Sequence, residues 1–553
     1  MQRILIQSFL LLIGALLLSL GWAPYNFILG SFVGLVPLLY VVYQLNQNQK
    51  KSIIVFLYAY FYFVAFNFFT IWWVKNASWL GVIATLVVNS FFYALIVVLY
   101  SKVSKYLPSK IAYLSFVTFW LAWEYIELLD WDLSWPWMTL GFSLANHIWA
   151  IQWYEITGVL GGSLWIVLIN LLVWSNLKIK IVNREFLRKR IYLLVTVLVV
   201  PILFSGVLWM NYADDGKKIN AIVVQPNFDP YTEKFITANG YEQSLSPSQQ
   251  AMVMMNLVDE IPAKNVDVIL FPETAVPTTV KKEEMQFNSV LQTLVQWANS
   301  KEIPLITGVH FAEDVEVFDK NNIPADVKKY RYEDAYYKRY NSALWIQNGE
   351  ITDIYHKSRL VIGVERIPSY FVFLQRYLID FKDDQLESEY NPNNGIQENR
   401  SVFVKADSAY KTTLKLAPII CYESIFGEFV TGYVKNGANL LGIITNDAWW
   451  GDTPGYKQHF SYAKLRAIET RRNVVRSANT GWSGAIDSRG KVLFQSEYWK
   501  PGAFKVEVTT NEKITTYVKY GDFLGRISIP LSILFIINAF IKRKKNKSLL
   551  SKI

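Results

Sequence analysis

The sequence predicts a two-part protein, a multi-span α-helical membrane domain joined to an α/β layered domain. Two observations carry this. Apolar residues make up 52% of the chain but crowd into residues 1–210 and a stretch near 524–541, whereas 211–520 has the mixed composition of a soluble domain. Within 211–520, short apolar strand patterns alternate with helical ones, the order expected of a layered α/β domain. The expected boundaries are 1–210 for seven transmembrane helices, 211–520 for the α/β domain, and 521–553 for a final transmembrane helix with a basic tail.

Crossing a bilayer takes about 20 predominantly apolar residues. Eight segments qualify, at roughly 4–20, 27–45, 52–73, 79–101, 111–128, 160–177, 191–209 and 524–541. The first lies where a signal peptide would, but no small-residue cleavage site follows. Gly21-Trp22-Ala23-Pro24-Tyr25 instead turns the chain into a second apolar run, so a retained helix is expected. Glu124 falls in the fifth stretch, and an intramembrane carboxylate is costly and often functional unless it lies near the span end. Trp131, Trp135 and Trp137 cluster beyond it; clustered Trp at a span end marks an interfacial belt or a substrate-facing loop.

The formal net charge of +10 would suit a nucleic-acid binder if it lay on one face. It does not. Lys and Arg gather at 50–51, 102–110, 178–190 and 542–552, and elsewhere acidic residues outnumber basic ones. The balance therefore reflects membrane orientation, and nucleic acid is not an expected partner. The basic clusters follow the second, fourth, sixth and eighth spans. By the positive-inside rule both termini are then cytoplasmic, and 211–520 lies on the far side, the periplasm of a bacterium.

Strand candidates in the second part are 220–225, 267–271, 304–308, 342–347, 414–420 and 440–445, with helical periodicity in 286–300 and 456–473 and a polar loop over 383–400. Cys421 is the only cysteine, which excludes a disulfide within the chain and a Cys-rich zinc site. The four histidines, His147, His310, His356 and His459, are scattered without ligand spacing, so no metal is expected.

Three strand ends present reactive side chains. Phe271-Pro272-Glu273 runs an apolar strand into a carboxylate, at the edge where α/β sheets place ligands. Alone, the segment reads rather as a surface Glu before a turn. Tyr355-His356-Lys357 is followed by Glu365, a segment that by itself reads as solvated charge. Ile419-Ile420-Cys421-Tyr422-Glu423 ends an apolar strand on a thiol, which fits a small buried residue as well as a nucleophile.

Together these segments are far more specific. Glu273, Lys357 and Cys421, each closing an apolar strand, resemble the nitrilase superfamily. Gln225-Pro226-Asn227, Thr445-Asn446-Asp447-Ala448-Trp449-Trp450 and Asn479-Thr480-Gly481-Trp482-Ser483-Gly484 extend the likeness. With the flanking spans, the whole chain resembles the apolipoprotein N-acyltransferase family. That resemblance implies an αββα sandwich for the α/β domain. It implies Glu273 as general base, Lys357 as fixed cation and Cys421 as nucleophile, with Glu365, Tyr422, Glu423, Phe235, Trp449 and Trp450 in supporting or substrate-binding places. Two departures stand out. Tyr231 and Phe235 are the nearest aromatics to the place where the family carries Trp, and Ile362-Gly363-Val364 precedes Glu365 where the family has Pro-Phe-Gly.

A thiol reacts as thiolate, and an unperturbed Cys titrates near about 8.5, so a base and a cation beside Cys421 make chemical sense. The resemblance further implies a phospholipid acyl donor, a thioester on Cys421, a diacylglyceryl-cysteine lipoprotein acceptor and no cofactor; the loop charges place the chain in the inner membrane, and nothing in the sequence demands more than a monomer. Residues 369–381, apolar and aromatic but too short to span, fit an interfacial arm or a packed helix. Competing readings are a membrane-tethered nitrilase-type amidase and a non-catalytic lipoprotein-binding module.

Overall fold

The computed structural model of the protein describes residues 2–182, 187–234, 245–320, 322–330, 334–367, 394–405 and 414–550. Two compact units emerge, Met1–Tyr212 together with Thr515–Ile553, and Ala213–Ile514.

The first unit is helical. Among the described residues, seven helices are long and apolar enough to cross a membrane: Gln2–Ser19, Ile28–Gln47, Ser52–Asn76, Gly81–Ser104, Val159–Lys178, Lys189–Asn211 and Phe523–Asn546. Their outer faces leave Tyr192, Leu193, Leu203, Phe204, Leu534 and Phe540 exposed. Bare apolar surface on this scale belongs against lipid, which makes this a membrane protein.

The stretch 111–128, also expected to span, forms the helix Ser109–Leu128. It is long enough but less apolar, because Glu124 and Glu127 occupy its last two turns. Both are buried. Glu124 Oε1 accepts hydrogen bonds from the Trp120 indole and from the Leu140 backbone, each at 2.8 Å. Glu127 Oε2 accepts from the Trp135 backbone N–H at 2.5 Å. The two carboxylates thus supply acceptors to an irregular segment whose N–H groups would otherwise be unmet in an apolar setting. That folds the segment back onto the helices. Trp137 is accordingly buried, its ring 5.2 Å from that of Trp73, rather than lying in an interfacial belt.

The second unit is an αββα sandwich, as expected. One sheet contains β1 (Lys218–Gln225), β2 (Val268–Leu270), β3 (Val276–Lys281), β4 (Leu305–Val315), β5 (Val327–Lys329), β6 (Tyr336–Gln347) and β7 (Glu350–His356). The other contains β8 (Phe403–Lys405), β9 (Leu414–Ile420), β10 (Leu440–Thr445), β11 (Val474–Ala478), β12 (Gly484–Ile486) and β13 (Val492–Gln495); β14 (Gly502–Thr509) returns to the first. Strand order is β14-β1-β2-β4-β6-β5, with β3 on β4 and β7 on β6, and β13-β12-β11-β10-β9-β8. The pairs β1/β2, β2/β4, β9/β10 and β10/β11 are parallel. Parallel strands covered on both faces read as unbroken apolar runs, which is why Leu-Lys-Leu-Ala-Pro-Ile-Ile and Leu-Leu-Gly-Ile-Ile-Thr are legible as β9 and β10.

Helices Pro247–Asp259 and Ser289–Lys301 cover the first sheet, where Met254, Val258, Leu291 and Leu294 join Ile222, Ile269 and Leu305 in one core. Ser246 and Gln249 form a capping box at the start of the first helix, and Asn288 caps the second. Helices Gly427–Lys435 and Pro454–Thr470 accompany the second sheet. The sheets face each other directly. Ser477 Oγ donates to the Val224 carbonyl at 2.7 Å, and the Trp345 and Phe403 rings lie 5.6 Å apart.

Candidate active site

The carboxyl ends of β2, β7 and β9 converge. Glu273 follows β2 by three residues, Lys357 immediately follows β7, and Cys421 immediately follows β9. All three are buried. The Lys357 ammonium lies 3.1 Å from Glu273 Oε1 and 2.9 Å from Glu365 Oε2. Asn341, in β6, donates through Nδ2 to both carboxylates, at 2.7 Å to Glu273 and 2.9 Å to Glu365. The second Glu273 oxygen accepts from the Asn446 backbone N–H at 2.9 Å. Glu365, despite its divergent loop, is therefore the second carboxylate on the lysine. Val361 N donates to its Oε2 at 2.9 Å.

Close backbone approach makes this possible. A Cβ at Gly308 would come within 2.4 Å of Thr274 N and 2.7 Å of Glu273 Cα, so only glycine lets β4 pass the Glu273 turn. Thr274 itself has φ +50°. The Lys234 ammonium donates to the Glu273 carbonyl at 3.0 Å from the other side. Burial lowers the Lys234 pKa to about 7, against the pull of Glu273.

Cys421 has φ +51°, in the left-handed region, at the sharp turn from β9 into the short helix Cys421–Ile425. Such a conformation costs of order 1–3 kcal/mol for a non-glycine residue and persists only where its surroundings enforce it. The enforcing groups are present. Glu423 Oε2 accepts from Ile420 N at 2.8 Å, and Ser424 Oγ donates to the Cys421 carbonyl at 2.7 Å. Glu423 Oε1 reaches across to Lys357's neighbours, accepting from the Tyr355 hydroxyl and Ser358 N at 2.6 Å each.

Electrostatics around the thiol are opposed by design of the fold. Burial pushes the Cys421 thiol well up, the Glu273 and Asp447 charges push it further, and Lys357 pulls it down. Burial alone would lower Lys357, but Glu273 and Glu365 outweigh it and hold the ammonium well above its usual range. Burial opposes ionisation of Glu365 too, and the Lys357 charge overcomes that, leaving its carboxyl below the usual value. The surroundings thus favour the thiol form of Cys421 and the ammonium form of Lys357. A proton can leave the thiol as a carbonyl is attacked, and the cation can meet the negative charge that develops.

The remaining expected residues divide. Tyr422 is buried, its ring 5.2 Å from Phe426, and its backbone N–H follows the thiol directly. Trp449 and Trp450 are half-buried after β10; Trp449 packs on Tyr231 at 5.4 Å and Trp450 on His459 at 5.6 Å. Phe235 and the 369–381 arm lie outside the described residues.

Asn341, Asn446, Lys234 and His459 had not been singled out from the sequence. Asn341 left a signal, a polar amide inside an otherwise β-forming run. Asn446 lay within the Thr445-Asn446-Asp447-Ala448-Trp449-Trp450 motif without a role of its own, and Lys234 and His459 left no signal, being local to a loop and a helix until the sheets stack. Cys421, Asp447 and His459 place one potential metal-ligand atom each within 4.8 Å of one another. That set is poorly suited to a cation, since Arg476 already sits 2.6 Å from Asp447 Oδ2, while Thr445 and His459 hold Oδ1 at 2.9 Å each.

Comparison with known proteins places both parts of the chain in known families. Residues 235–514 match the carbon–nitrogen hydrolase family, and residues 14–172 match the apolipoprotein N-acyltransferase N-terminal domain. The chain is 28% identical to an apolipoprotein N-acyltransferase of Chlorobaculum tepidum, covering 98% of each chain. It is 26% identical to one of Thermotoga maritima, covering 99% of this chain and 95% of that one. Among solved structures, an amidase from Nesterenkonia sp. matches at 15% identity and a TM-score of 0.34, covering 53% of this chain and 91% of that one. With both halves matched and the Glu273, Lys357 and Cys421 side chains brought together, the chain belongs to the carbon–nitrogen hydrolase, or nitrilase, superfamily and within it to the membrane-embedded apolipoprotein N-acyltransferases.

Proposed function

We propose that the protein transfers an acyl chain from a phospholipid, through a thioester on Cys421, to the N-terminal amine of a diacylglyceryl-cysteine lipoprotein. The convergence of buried Glu273, Lys357 and Cys421 in a chain that also carries membrane helices is the observation that supports this most directly.

In the first half-reaction, Cys421 Sγ attacks the ester carbonyl while Glu273 takes the thiol proton. The oxyanion is met by the Lys357 ammonium and the Tyr422 N–H. Collapse breaks the ester C–O bond, and Glu273 returns the proton to the departing lysophospholipid oxygen. In the second half, the acceptor amine attacks the thioester, Glu273 takes a proton from nitrogen, the C–S bond breaks as the amide forms, and Glu273 returns the proton to the departing Cys421 sulfur. Splitting the transfer in two predicts ping-pong kinetics. No step calls for a metal or coenzyme. Basic clusters after alternate spans support a periplasmic site in a bacterial inner membrane.

Intact-mass analysis of the purified protein with phospholipid alone tests this. One acyl adduct is expected, absent in Cys421→Ala and discharged by a diacylated lipopeptide. Folded protein that forms no adduct would sink the mechanism, and discharge by water as fast as by lipopeptide would make the protein a hydrolase.

A further inference from the structure

We propose that His459 is a positioning residue for the oxyanion hole, clamping the Cys421 carbonyl and so aiming the Tyr422 N–H. This rests on the proposed acyl transfer, in which that N–H meets the oxyanion. The Cys421 carbonyl and the Tyr422 N–H belong to one planar peptide unit and point in opposite directions. Rotating the plane swings both, so whatever pins the oxygen aims the N–H. Cys421 sits at φ +51°, where few side chains rest unaided, so the plane needs external restraint.

Two groups hold that oxygen. Ser424 Oγ donates to it at 2.7 Å, and His459 Nε2 lies 3.2 Å from it and 3.0 Å from Ser424 Oγ. The imidazole is itself fixed at its other end. Nδ1 lies 2.9 Å from Asp447 Oδ1, and Arg476 reaches Asp447 Oδ2 at 2.6 Å and Nδ1 at 3.1 Å. Thr445 Oγ1 adds a donor to Asp447 Oδ1 at 2.9 Å, and the Trp450 ring packs 5.6 Å from the imidazole. Nδ1 thus has a donor in reach, the Arg476 N–H, so the ring proton can sit on Nε2, which faces the Cys421 carbonyl and the Ser424 hydroxyl.

A bland core histidine does not account for this set. Burying Asp447 and Arg476 carries a desolvation cost that their attraction only partly offsets. Burial would raise Asp447, yet Arg476 and His459 hold it down at about 2, so the carboxylate stays ionised behind the ring throughout the working range. The chain Arg476–Asp447–His459 ends on one atom, the carbonyl oxygen of the nucleophile. None of the three needs to touch substrate.

The clamp predicts a separation of two reactions at the same sulfur. Acylation by a carbonyl donor forms an oxyanion; alkylation by iodoacetamide does not. Both rates are measured by intact mass on the full-length protein in detergent, using p-nitrophenyl butyrate as an acyl donor free of lipid. His459→Leu should slow acylation by roughly 30- to 100-fold, short of the roughly 10²- to 10³-fold for losing an oxyanion donor outright because the N–H is misaimed rather than removed, and alter alkylation by less than about threefold. His459→Gln, which restores an N–H near the carbonyl, should recover most of the acylation rate. Acylation that is unchanged in His459→Leu, or alkylation that falls with it, would overturn the proposal. If His459→Leu does not fold, Ser424→Ala removes the other donor to the same oxygen. It should show the same selective loss, and an equal loss in both reactions would overturn the clamp. Wild type that accepts the activated ester but no phospholipid would remove the donor assignment while the clamp is still read.

Discussion

The Glu423 carboxylate accepts the Tyr355 hydroxyl at 2.6 Å, tying the turn after the nucleophile to the strand that Lys357 follows. Ser358 N and Ile420 N donate to the same carboxylate. One side chain thus sets the spacing of thiol and ammonium. A glutamine there would aim its amide N–H groups at donors. Glu423→Gln should therefore slow acylation of Cys421 at least about tenfold, since leaving a buried donor unmet costs about 1–3 kcal/mol. Burst kinetics of adduct formation measure this.

The same substitution carries a pH signature. Burial raises the Glu423 pKa from its ordinary value of 4.5 to about 7. A raised carboxyl favours folding most when protonated in both states. Its contribution is full below the unfolded value and is lost as pH rises through about 7. Thermal melts from pH 5 to 8 should show wild type losing stability relative to Glu423→Gln as pH increases. A constant difference between the two would contradict the burial of an ionising Glu423.

Removing the base should split two reactivities. The Glu273 charge is the largest influence after burial pushing the Cys421 thiol up. In Glu273→Gln that charge is gone, so alkylation by iodoacetamide near pH 8 should accelerate. Acylation should nevertheless fall by about 10²- to 10⁴-fold, the usual contribution of general base catalysis. Parallel loss of both would mean the residue only supports the fold.

Lys357 is the sole ammonium bonded to both Glu273 and Glu365 among the described residues. Lys357→Met would leave two buried carboxylates facing each other. Breaking such a pair should cost about 3–5 kcal/mol, readable as a lowered melting temperature, with loss of the acyl adduct. Lysine-to-methionine protein that melts like wild type would argue against buried, ionised partners.

Asn341 supplies both carboxylates with one amide. Asn341→Asp keeps the shape but adds a third negative charge. Acylation should drop at least about a hundredfold, because like charges raise carboxyl pKa values and weaken the lysine's hold on the oxyanion. A near-normal rate would show that Lys357 needs no such partner.

Local chemistry was enough to find much of this protein. The apolar runs 414–420 and 440–445 coincide with β9 and β10, because a buried parallel strand writes its environment into consecutive side chains. Glu273 and Cys421 were legible because each follows such a run, whereas Lys357 follows the antiparallel, largely polar β7 and stood out only beside the other two. The tertiary structure alone decided how they are held. Asn446 donates to a Glu273 carboxylate 173 residues away in sequence, and Glu423 bonds Tyr355 across 68. Trp137 moved from an expected interface into the helical core because Glu124 and Glu127 capture the backbone around it. Hydrophobic periodicity is a property of neighbouring residues, whereas a buried hydrogen bond needs two groups that meet only after the sheets have stacked. The scattered histidines carried no pattern in the sequence, and His459 acquired its place behind Cys421 from that stacking.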